Sequence, residues 1–195
     1  MSAVNDRLRL SVAIDAERLQ ADLSNCRAAD WVEHFVKDNY EGRWDVLPLR
    51  APATAEHPVM MIYSDPTCDE FVDTPMLDRC PYIRALLGQF ECRLDAVRLM
   101  RLGPDSFIRE HRDLDLSLED GAVRLHVPIV TDDDVDFRLN DEPVRMRVGD
   151  CWYLRLSDPH SVTNRGAQVR VHLVIDARVN DWLATLLQRA AVALP

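Results

Sequence analysis

Two stretches decide the fold: residues 123–129, VRLHVPI, and residues 170–176, RVHLVID. Side chains of a β-strand alternate between two faces, so the apolar residues of 123–129 share one face and Arg124 and His126 share the other. In 170–176 the same alternation places Arg170 and His172 opposite an apolar face. A solvent-facing strand explains one such Arg-x-His pair. Two matched pairs favour a functional surface built across two strands.

The chain around these stretches is rich in strand signals from about residue 95. Turn signals separate the segments at Gly103-Pro104-Asp105, Asn140-Asp141, Gly149-Asp150 and Asn164-Arg165-Gly166. Short strands punctuated in this way are typical of an antiparallel sandwich or barrel. We therefore expect a mainly β protein. Its 195 residues fit one domain, with a helical and loop N-terminal part (1–94), a core (95–177) and a C-terminal helix (178–195).

Helical periodicity occurs mainly outside the core. The pattern predicts short helices over Asp15–Asn25, Ala29–Lys37 and Tyr82–Phe90, with Pro81 in the first turn of the third. Asn180 is a candidate N-cap for a last helix that should pack on the sheet. The apolar stripe of that helix is Trp182, Leu183, Leu186, Leu187, Ala190 and Ala191.

Composition excludes several classes of function. The net charge is −10 and the chain has one lysine, Lys37, so a nucleic-acid partner is not expected. No apolar run approaches the roughly 18 residues of a membrane span, and the N-terminus lacks a signal-peptide pattern. The five cysteines show no metal-binding or disulfide spacing. We expect a cytoplasmic protein with reduced thiols and no membrane partner.

His111-Arg112-Asp113 is a candidate metal-binding motif. In an extended chain, residues two apart point to the same side, so this segment can supply two ligands. Two histidines and one carboxylate hold iron(II) in many oxygen-activating enzymes, and His160 is the best candidate for the third ligand. An H-x-D alone is weak, because His111 could be a loop residue with Asp113 solvated nearby. Arg170, on the next strand, strengthens it, because a guanidinium can bind a ligand carboxylate in bidentate fashion.

A set of spaced motifs carries a family resemblance. The motifs are Gly103-Pro104, Ile108, His111-Arg112-Asp113, Arg124-Leu125-His126-Val127-Pro128, Gly149-Asp150-Cys151-Trp152-Tyr153, His160, Asn164 and residues 170–176. Together they resemble the aspartyl/asparaginyl β-hydroxylase family, which includes bacterial proline hydroxylases. Upstream, Tyr40-Glu41-Gly42-Arg43-Trp44 and Leu49-Arg50 are more weakly similar.

This resemblance implies a double-stranded β-helix, or jelly roll, with N-terminal helices packed on one sheet. It implies a hydroxylase that uses iron(II), 2-oxoglutarate and O2, with iron held by His111, Asp113 and His160. Arg170 would pair with the distal carboxylate of 2-oxoglutarate, and Arg124 and His126 match positions that contact this co-substrate. Animal members carry glycine at the position of Asp113, and related halogenating enzymes leave it open for a halide. Asp113 therefore favours hydroxylation, whereas Met100 departs from a polar residue of the animal members.

The substrate is less determined. We expect a free amino acid or a small derivative, since a compact chain suits a small pocket, and Trp44, Arg50 and Arg98 are candidate substrate contacts. A peptidyl aspartyl or asparaginyl side chain is a second candidate substrate. Two different functions also fit the sequence: a non-catalytic jelly-roll sensor of a small carboxylate, and a cupin-like isomerase or thiol-type dioxygenase.

The remaining chemically suggestive residues favour structural interpretations. His172 could orient a ligand, although a core histidine is the simpler interpretation. His34 and His57 are interpreted as structural or surface residues. The acidic run Asp132–Asp134 lacks the glycine and glutamate of a calcium loop, and Cys151 fits a buried small hydrophobe. The sequence does not determine the oligomeric state.

Overall fold

The structure is a computed structural model that describes residues 6–63 and 68–192. Residues 1–5, which begin the N-terminus without a signal-peptide pattern, and 193–195, the end of the expected C-terminal helix, lie outside the described residues. The helices are α1 Ala16–Ser24, α2 Pro58–Ile62, α3 Pro81–Leu87 and α4 Asp181–Val192. The strands are β1 Arg7–Leu10, β2 Val32–Glu33, β3 Tyr40–Glu41, β4 Trp44–Pro52, β5 Phe71–Asp73, β6 Leu94–Leu102, β7 Ser106–His111, β8 Ala122–Val130, β9 Val135–Leu139, β10 Glu142–Pro143, β11 Cys151–Leu154, β12 His160–Asn164 and β13 Arg170–Arg178.

These strands form two antiparallel sheets. The larger has the order β1-β11-β8-β13-β6-β4-β2, with β5 added beside β4, and the smaller has the order β10-β9-β12-β7-β3. Strands that are distant in sequence, such as β8 and β13, are neighbours in the sheet. The predicted mainly β jelly roll, with N-terminal helices and a C-terminal helix, is confirmed.

Each face of the larger sheet belongs to a different apolar core. Leu125 and Leu173 lie on the outer face and pack with helix residues such as Leu19, Ile83 and Leu187. The inner face meets the smaller sheet in a second core that includes Met100, Phe137, Val162 and Val174. The alternation predicted for 123–129 and 170–176 is confirmed, because the apolar residues face the helices. Arg124, His126 and Arg170 therefore point between the sheets, where they line a cavity.

Three of the predicted helices are confirmed, including the position of Pro81 and the cap by Asn180. The carboxylate of Asp15 accepts a hydrogen bond from the Arg18 amide at 3.1 Å, which begins α1. Pro81 is the first residue of α3. Asn180 Oδ1 accepts from the Leu183 amide at 3.0 Å and caps α4, whose Leu183, Leu187 and Ala190 are buried.

The predicted helix over Ala29–Lys37 is wrong. This stretch contains the 3₁₀ turn Ala28–Asp30 and strand β2, and a second 3₁₀ turn, Lys37–Asn39, begins at its end. Val32 pairs with Val46 of β4, and the His34 amide donates to the Trp44 carbonyl at 2.8 Å. Pairing with a distant strand therefore overrides local helical propensity.

The prediction that residues 1–94 consist of helices and loops is incomplete. β1 pairs with β11, and β4 pairs with β6, so this part supplies strands to the larger sheet. β4 is hard to recognise from sequence because Pro48 interrupts it, and its register with β6 shifts between Pro48 and Arg50. Among the described residues, no helix has the length and apolar character needed to span a membrane.

Candidate metal centre

His111 and His160 are brought together by strand pairing. His111 is the last residue of β7 and His160 is the first residue of β12, and the two are direct partners in the antiparallel register. Their ring centroids lie 4.2 Å apart. His160 therefore begins β12, a strand separate from the preceding β11, which ends at Leu154.

Asp113 lies two residues beyond β7 and completes the cluster. Its backbone amide donates to the Leu156 carbonyl at 2.9 Å, which fixes the segment against the chain that leads into β12. Its Oδ1 lies 3.7 Å from His111 Nε2. One donor atom from each of His111, Asp113 and His160 lies within 4.8 Å of the others, so the three predicted ligands converge.

Backbone carbonyls orient both imidazoles. His111 Nδ1 donates to the Arg109 carbonyl at 2.8 Å, and His160 Nδ1 donates to the Asp158 carbonyl at 3.0 Å. Because a carbonyl can only accept, each Nδ1 carries a proton, and the lone pair of a neutral ring with this tautomer lies on Nε2. Burial, reinforced by the neighbouring His111, lowers the pKa of His160 to about 4. The His160 ring is therefore prepared as a neutral ligand, and imidazole nitrogens suit iron(II).

Arg170 is a buried cation that pairs with no carboxylate among the described residues. Its side chain is 3% exposed, and Nη2 bonds to His172 Nδ1 at 2.8 Å. Its guanidinium lies 5.9 Å from the centre of the Phe137 ring. In the described part of the chain Nε has no hydrogen-bond partner, and burial lowers the pKa of Arg170 to about 9. A buried guanidinium that faces a cavity in this state is able to bind an anion.

His126 and His172 lie beside Arg170 on the inner face. His126 Nδ1 is 3.4 Å from His172 Nδ1, and burial, with the positive charge of Arg170, lowers the pKa of His126 well below its usual value. His126 Nε2 is buried and has no partner among the described residues. His172 is a 1% exposed core histidine, and its hydrogen bond to Arg170 lets it orient that guanidinium.

The cavity between the sheets measures about 800 Å³. All three metal candidates line it, as do Arg124, His126, Arg170, Trp44, Arg98 and Met100. Arg50 does not line it. The guanidinium of Arg50 is bound to Asp73 at 2.7 Å and to the carbonyls of Leu94 and Phe71, so the expectation that it contacts substrate is not supported.

His34, interpreted from sequence as structural or surface, also lines the cavity. Its ring stacks on Trp44, with centroids 3.6 Å apart and planes 4° apart, and on Phe35 at 5.0 Å. Burial, together with the charge of Arg98, lowers its pKa to about 4. The sequence does not indicate that His34 reaches the cavity, because its stack on Trp44 depends on pairing between β2 and β4. His57, in contrast, caps α2 and lies outside the cavity.

His111, Asp113 and His160 line the inner cavity of a jelly roll. Two histidines and one carboxylate are the donor set that non-heme iron(II) oxygenases use. The profile of the Aspartyl/Asparaginyl beta-hydroxylase family matches residues 11–179. The chain belongs to this family, as its motifs predicted.

Individual proteins show the same relationship. The chain is 27% identical over 180 residues to an L-proline cis-4-hydroxylase of Rhizobium meliloti (strain 1021), a match that covers 91% of this chain and 62% of that protein. The chain thus spans less than two thirds of the length of this relative. Its fold resembles the non-heme alpha ketoglutarate dependent epimerase SnoN from nogalamycin biosynthesis, with a TM-score of 0.55 at 15% identity, covering 89% of this chain and 78% of that one. A Pseudomonas putida prolyl-4-hydroxylase gives a TM-score of 0.52 at 14% identity, covering 91% and 95%.

Proposed function

We propose that this protein is an iron(II)- and 2-oxoglutarate-dependent hydroxylase of a C–H bond in a free amino acid or a small amino-acid derivative, with succinate and CO2 as co-products. One observation carries the proposal. A converging His–Asp–His donor set shares a cavity with Arg170, a buried cation that lacks an acidic partner among the described residues. A dicarboxylate such as 2-oxoglutarate supplies the missing anion.

The residues around the cavity have distinct tasks in this proposal. His111, Asp113 and His160 hold the metal, and Arg170 binds the distal carboxylate of 2-oxoglutarate. His172 holds Arg170 in place through its 2.8 Å hydrogen bond. His126 Nε2 remains open for a polar group of the co-substrate. Buried apolar side chains such as Ile108 and Val162 line the same cavity and limit the access of water.

When bound, iron(II) with 2-oxoglutarate supplies the oxidising chemistry by which O2 converts a C–H bond to C–OH. The protein orients the co-substrate and the substrate around that chemistry. Trp44 is a candidate substrate contact because its Nε1 is buried in the cavity wall without a hydrogen-bond partner among the described residues. The guanidinium of Arg98 also lines the cavity, although it is bonded to Asp176.

The first experiment is an anaerobic titration of the apoprotein with iron(II) and then with 2-oxoglutarate. Bidentate binding of the keto acid gives a weak visible metal-to-ligand charge-transfer band. We expect this band in the unchanged protein, and we expect Arg170→Ala to bind iron but to need far more 2-oxoglutarate. Arg50→Ala is the matched control, because its guanidinium is bound outside the cavity. Iron binding without the band would favour the carboxylate sensor or a cupin-like enzyme.

The ligand assignment is tested separately. We expect His111→Ala and His160→Ala to lose bound iron, because each removes one of the three converging donors. His57→Ala is the control, since His57 lies outside the cavity. Full iron occupancy in both His111→Ala and His160→Ala would contradict the assignment.

The substrate class is tested by succinate release. The relative from Rhizobium meliloti makes free L-proline the first compound to test, followed by other amino acids and by peptides that contain Asp or Asn. Activity with peptides alone would favour the peptidyl hydroxylase instead. Trp44→Phe keeps an aromatic ring but removes the indole Nε1–H donor, so we expect KM for the true substrate to rise about five- to tenfold.

A further inference from the structure

A chain of four charged side chains runs from the metal centre into the larger sheet. Arg124 Nη1 donates to Asp113 Oδ2, and Arg124 Nε and Nη2 donate to the two carboxylate oxygens of Asp176 at 2.6 and 3.0 Å. Arg98 Nη2 donates to Asp176 Oδ2, and Arg98 Nη1 to the Ile62 carbonyl at 3.3 Å. Arg98, Arg124 and Asp176 are 3%, 8% and 7% exposed, so the chain is built into the interior.

Strand register fixes this arrangement. Asp176 of β13 is the direct antiparallel partner of Arg124 in β8. Arg98 of β6 is the partner of Val174, two residues before Asp176 and on the same face of β13. Side chains at such positions are neighbours across the sheet. The carboxylate of Asp176 thus lies between two guanidinium groups, and its position is set by the backbones of three strands.

These contacts determine which carboxylate oxygen of Asp113 is available to a metal. Arg124 is bonded to Asp113 Oδ2, whereas Oδ1 faces the imidazole of His111 at 3.7 Å. Asp113 belongs to the loop after β7 rather than to a strand. Its carboxylate orientation therefore depends on Arg124, and the orientation of Arg124 depends on Asp176.

We propose that Asp176 is a positioning residue for the metal ligand Asp113 and acts through Arg124. This role rests on one part of the proposed function, namely that His111, Asp113 and His160 bind a metal. It gives the arginines separate tasks: Arg170 is left to bind an anion, while Arg124 holds one oxygen of Asp113 so that the other is presented to the metal. It differs from the co-substrate contact that family resemblance implies for Arg124. Residues that orient metal ligands typically change metal affinity by about 10- to 100-fold when they are replaced.

The test measures metal binding rather than turnover. We expect Asp176→Asn to weaken iron(II) binding about 10- to 100-fold in an anaerobic titration, and to alter the visible absorption of the cobalt(II)-loaded protein. The matched control is Asp45→Asn. Asp45 is 4% exposed and bonds to Arg43 and Arg101, but it does not line the cavity, so its replacement should leave both readouts unchanged.

Two further variants separate positioning from a loss of folding. Arg124→Lys keeps the positive charge but cannot bridge both aspartates, so it should weaken metal binding in the same way as Asp176→Asn. In an Asp113→Asn background, Asp176→Asn should cause little further loss, because residues that act through one another are not additive. Folding of each variant is checked by circular dichroism, and Arg124→Lys serves if Asp176→Asn does not fold.

Three results would each have a distinct meaning. If the unchanged protein binds neither iron(II) nor cobalt(II), the proposed function itself fails. If the unchanged protein binds both metals and folded Asp176→Asn or Arg124→Lys binds them equally well, the positioning role is overturned. If Asp45→Asn loses metal affinity as strongly as Asp176→Asn, the loss reports removal of any buried charge, and the inference is also overturned.

Discussion

Gly42 lies in the turn between β3 and β4 with a positive φ of +84°, in the left-handed region that favours glycine. A Cβ at this position would fall 2.2 Å from Ser106 Oγ. That hydroxyl accepts from the Arg43 amide at 2.9 Å and donates to the Pro104 carbonyl at 3.0 Å, so it cannot move freely. The turn therefore packs tightly against β7, the strand that ends at His111.

We expect Gly42→Ala to lose about 2–5 kcal/mol in the free energy of unfolding, the sum of left-handed strain and steric overlap. Gly121→Ala is the matched control. Gly121 has a φ of +77°, but nothing lies within 4 Å of its would-be Cβ. It should lose only the strain, about 1–2 kcal/mol. Urea unfolding measures the free energy of unfolding of both variants. Equal losses would show that Ser106 does not restrict a side chain at position 42.

His34 makes stability depend on pH. Its pKa is about 4 in the folded protein and about 6.5 when unfolded, so the unfolded state binds the proton first as the pH falls. Stability should therefore decrease between pH 6.5 and 4 and show no further effect of His34 below that window. His34→Phe retains an aromatic ring but does not titrate. In urea unfolding of the apoprotein, the unchanged protein should lose stability relative to His34→Phe across this window, whereas a constant difference would contradict the prediction.

At the residue scale, the sequence was most informative where chemistry is local. His111 and Asp113 are close in sequence, and strand alternation alone placed Arg124, His126 and Arg170 on the functional face. The surroundings of His34 and Arg50 are not predictable from local sequence, because they come from distant chain segments. His34 reaches the cavity through pairing with β4, and Arg50 is drawn away from it by Asp73.

At the scale of elements, α4 shows how one cap anchors a helix. Asn180 Oδ1 accepts from the Leu183 amide, and Asn180 Nδ2 donates to the Glu91 carbonyl at 2.8 Å. We expect Asn180→Ala to lose about 1 kcal/mol of unfolding free energy, since the cap is removed. Asn180→Asp keeps the acceptor and should recover most of that loss. Thermal or urea unfolding distinguishes them, and equal losses would indicate that the bond to Glu91 dominates.

Elements were predictable where a pattern ran uninterrupted. The helix α4 has both a cap and an apolar stripe, and apolar residues occupy every second position over 123–129 of β8 and 171–177 of β13. β1 has only four residues, and β4 contains Pro48, so neither gives a clear period. Their strand character depends on partners, β11 and β6, that are distant in sequence. Such pairing is a tertiary effect that local propensity does not encode.

At the scale of the whole molecule, the buried charge of Arg170 that the proposed function requires lowers the stability of the folded protein. Arg170 is buried beside Phe137 and His172 with no acidic partner among the described residues, and its folded pKa of about 9 lies well below the ordinary value of arginine. At pH 7 the group is charged in both states, so the folded apoprotein bears the full penalty of burying that charge. The penalty would diminish only as the pH rises above about 9 towards the ordinary pKa of arginine.

Arg170→Met should therefore stabilise the apoprotein while removing its co-substrate site. We expect its free energy of unfolding at pH 7 to rise by about 1–3 kcal/mol, because an apolar side chain replaces an uncompensated buried cation. The metal-loaded variant should also lose the increase in Tm that excess 2-oxoglutarate gives the unchanged protein, since only a ligand that binds the folded state stabilises it. Arg170→Lys keeps the charge, so it should weaken 2-oxoglutarate binding without the gain in stability. An Arg170→Met apoprotein that is less stable than the unchanged one would show that the bond to His172 and the Phe137 contact outweigh the cost of burial.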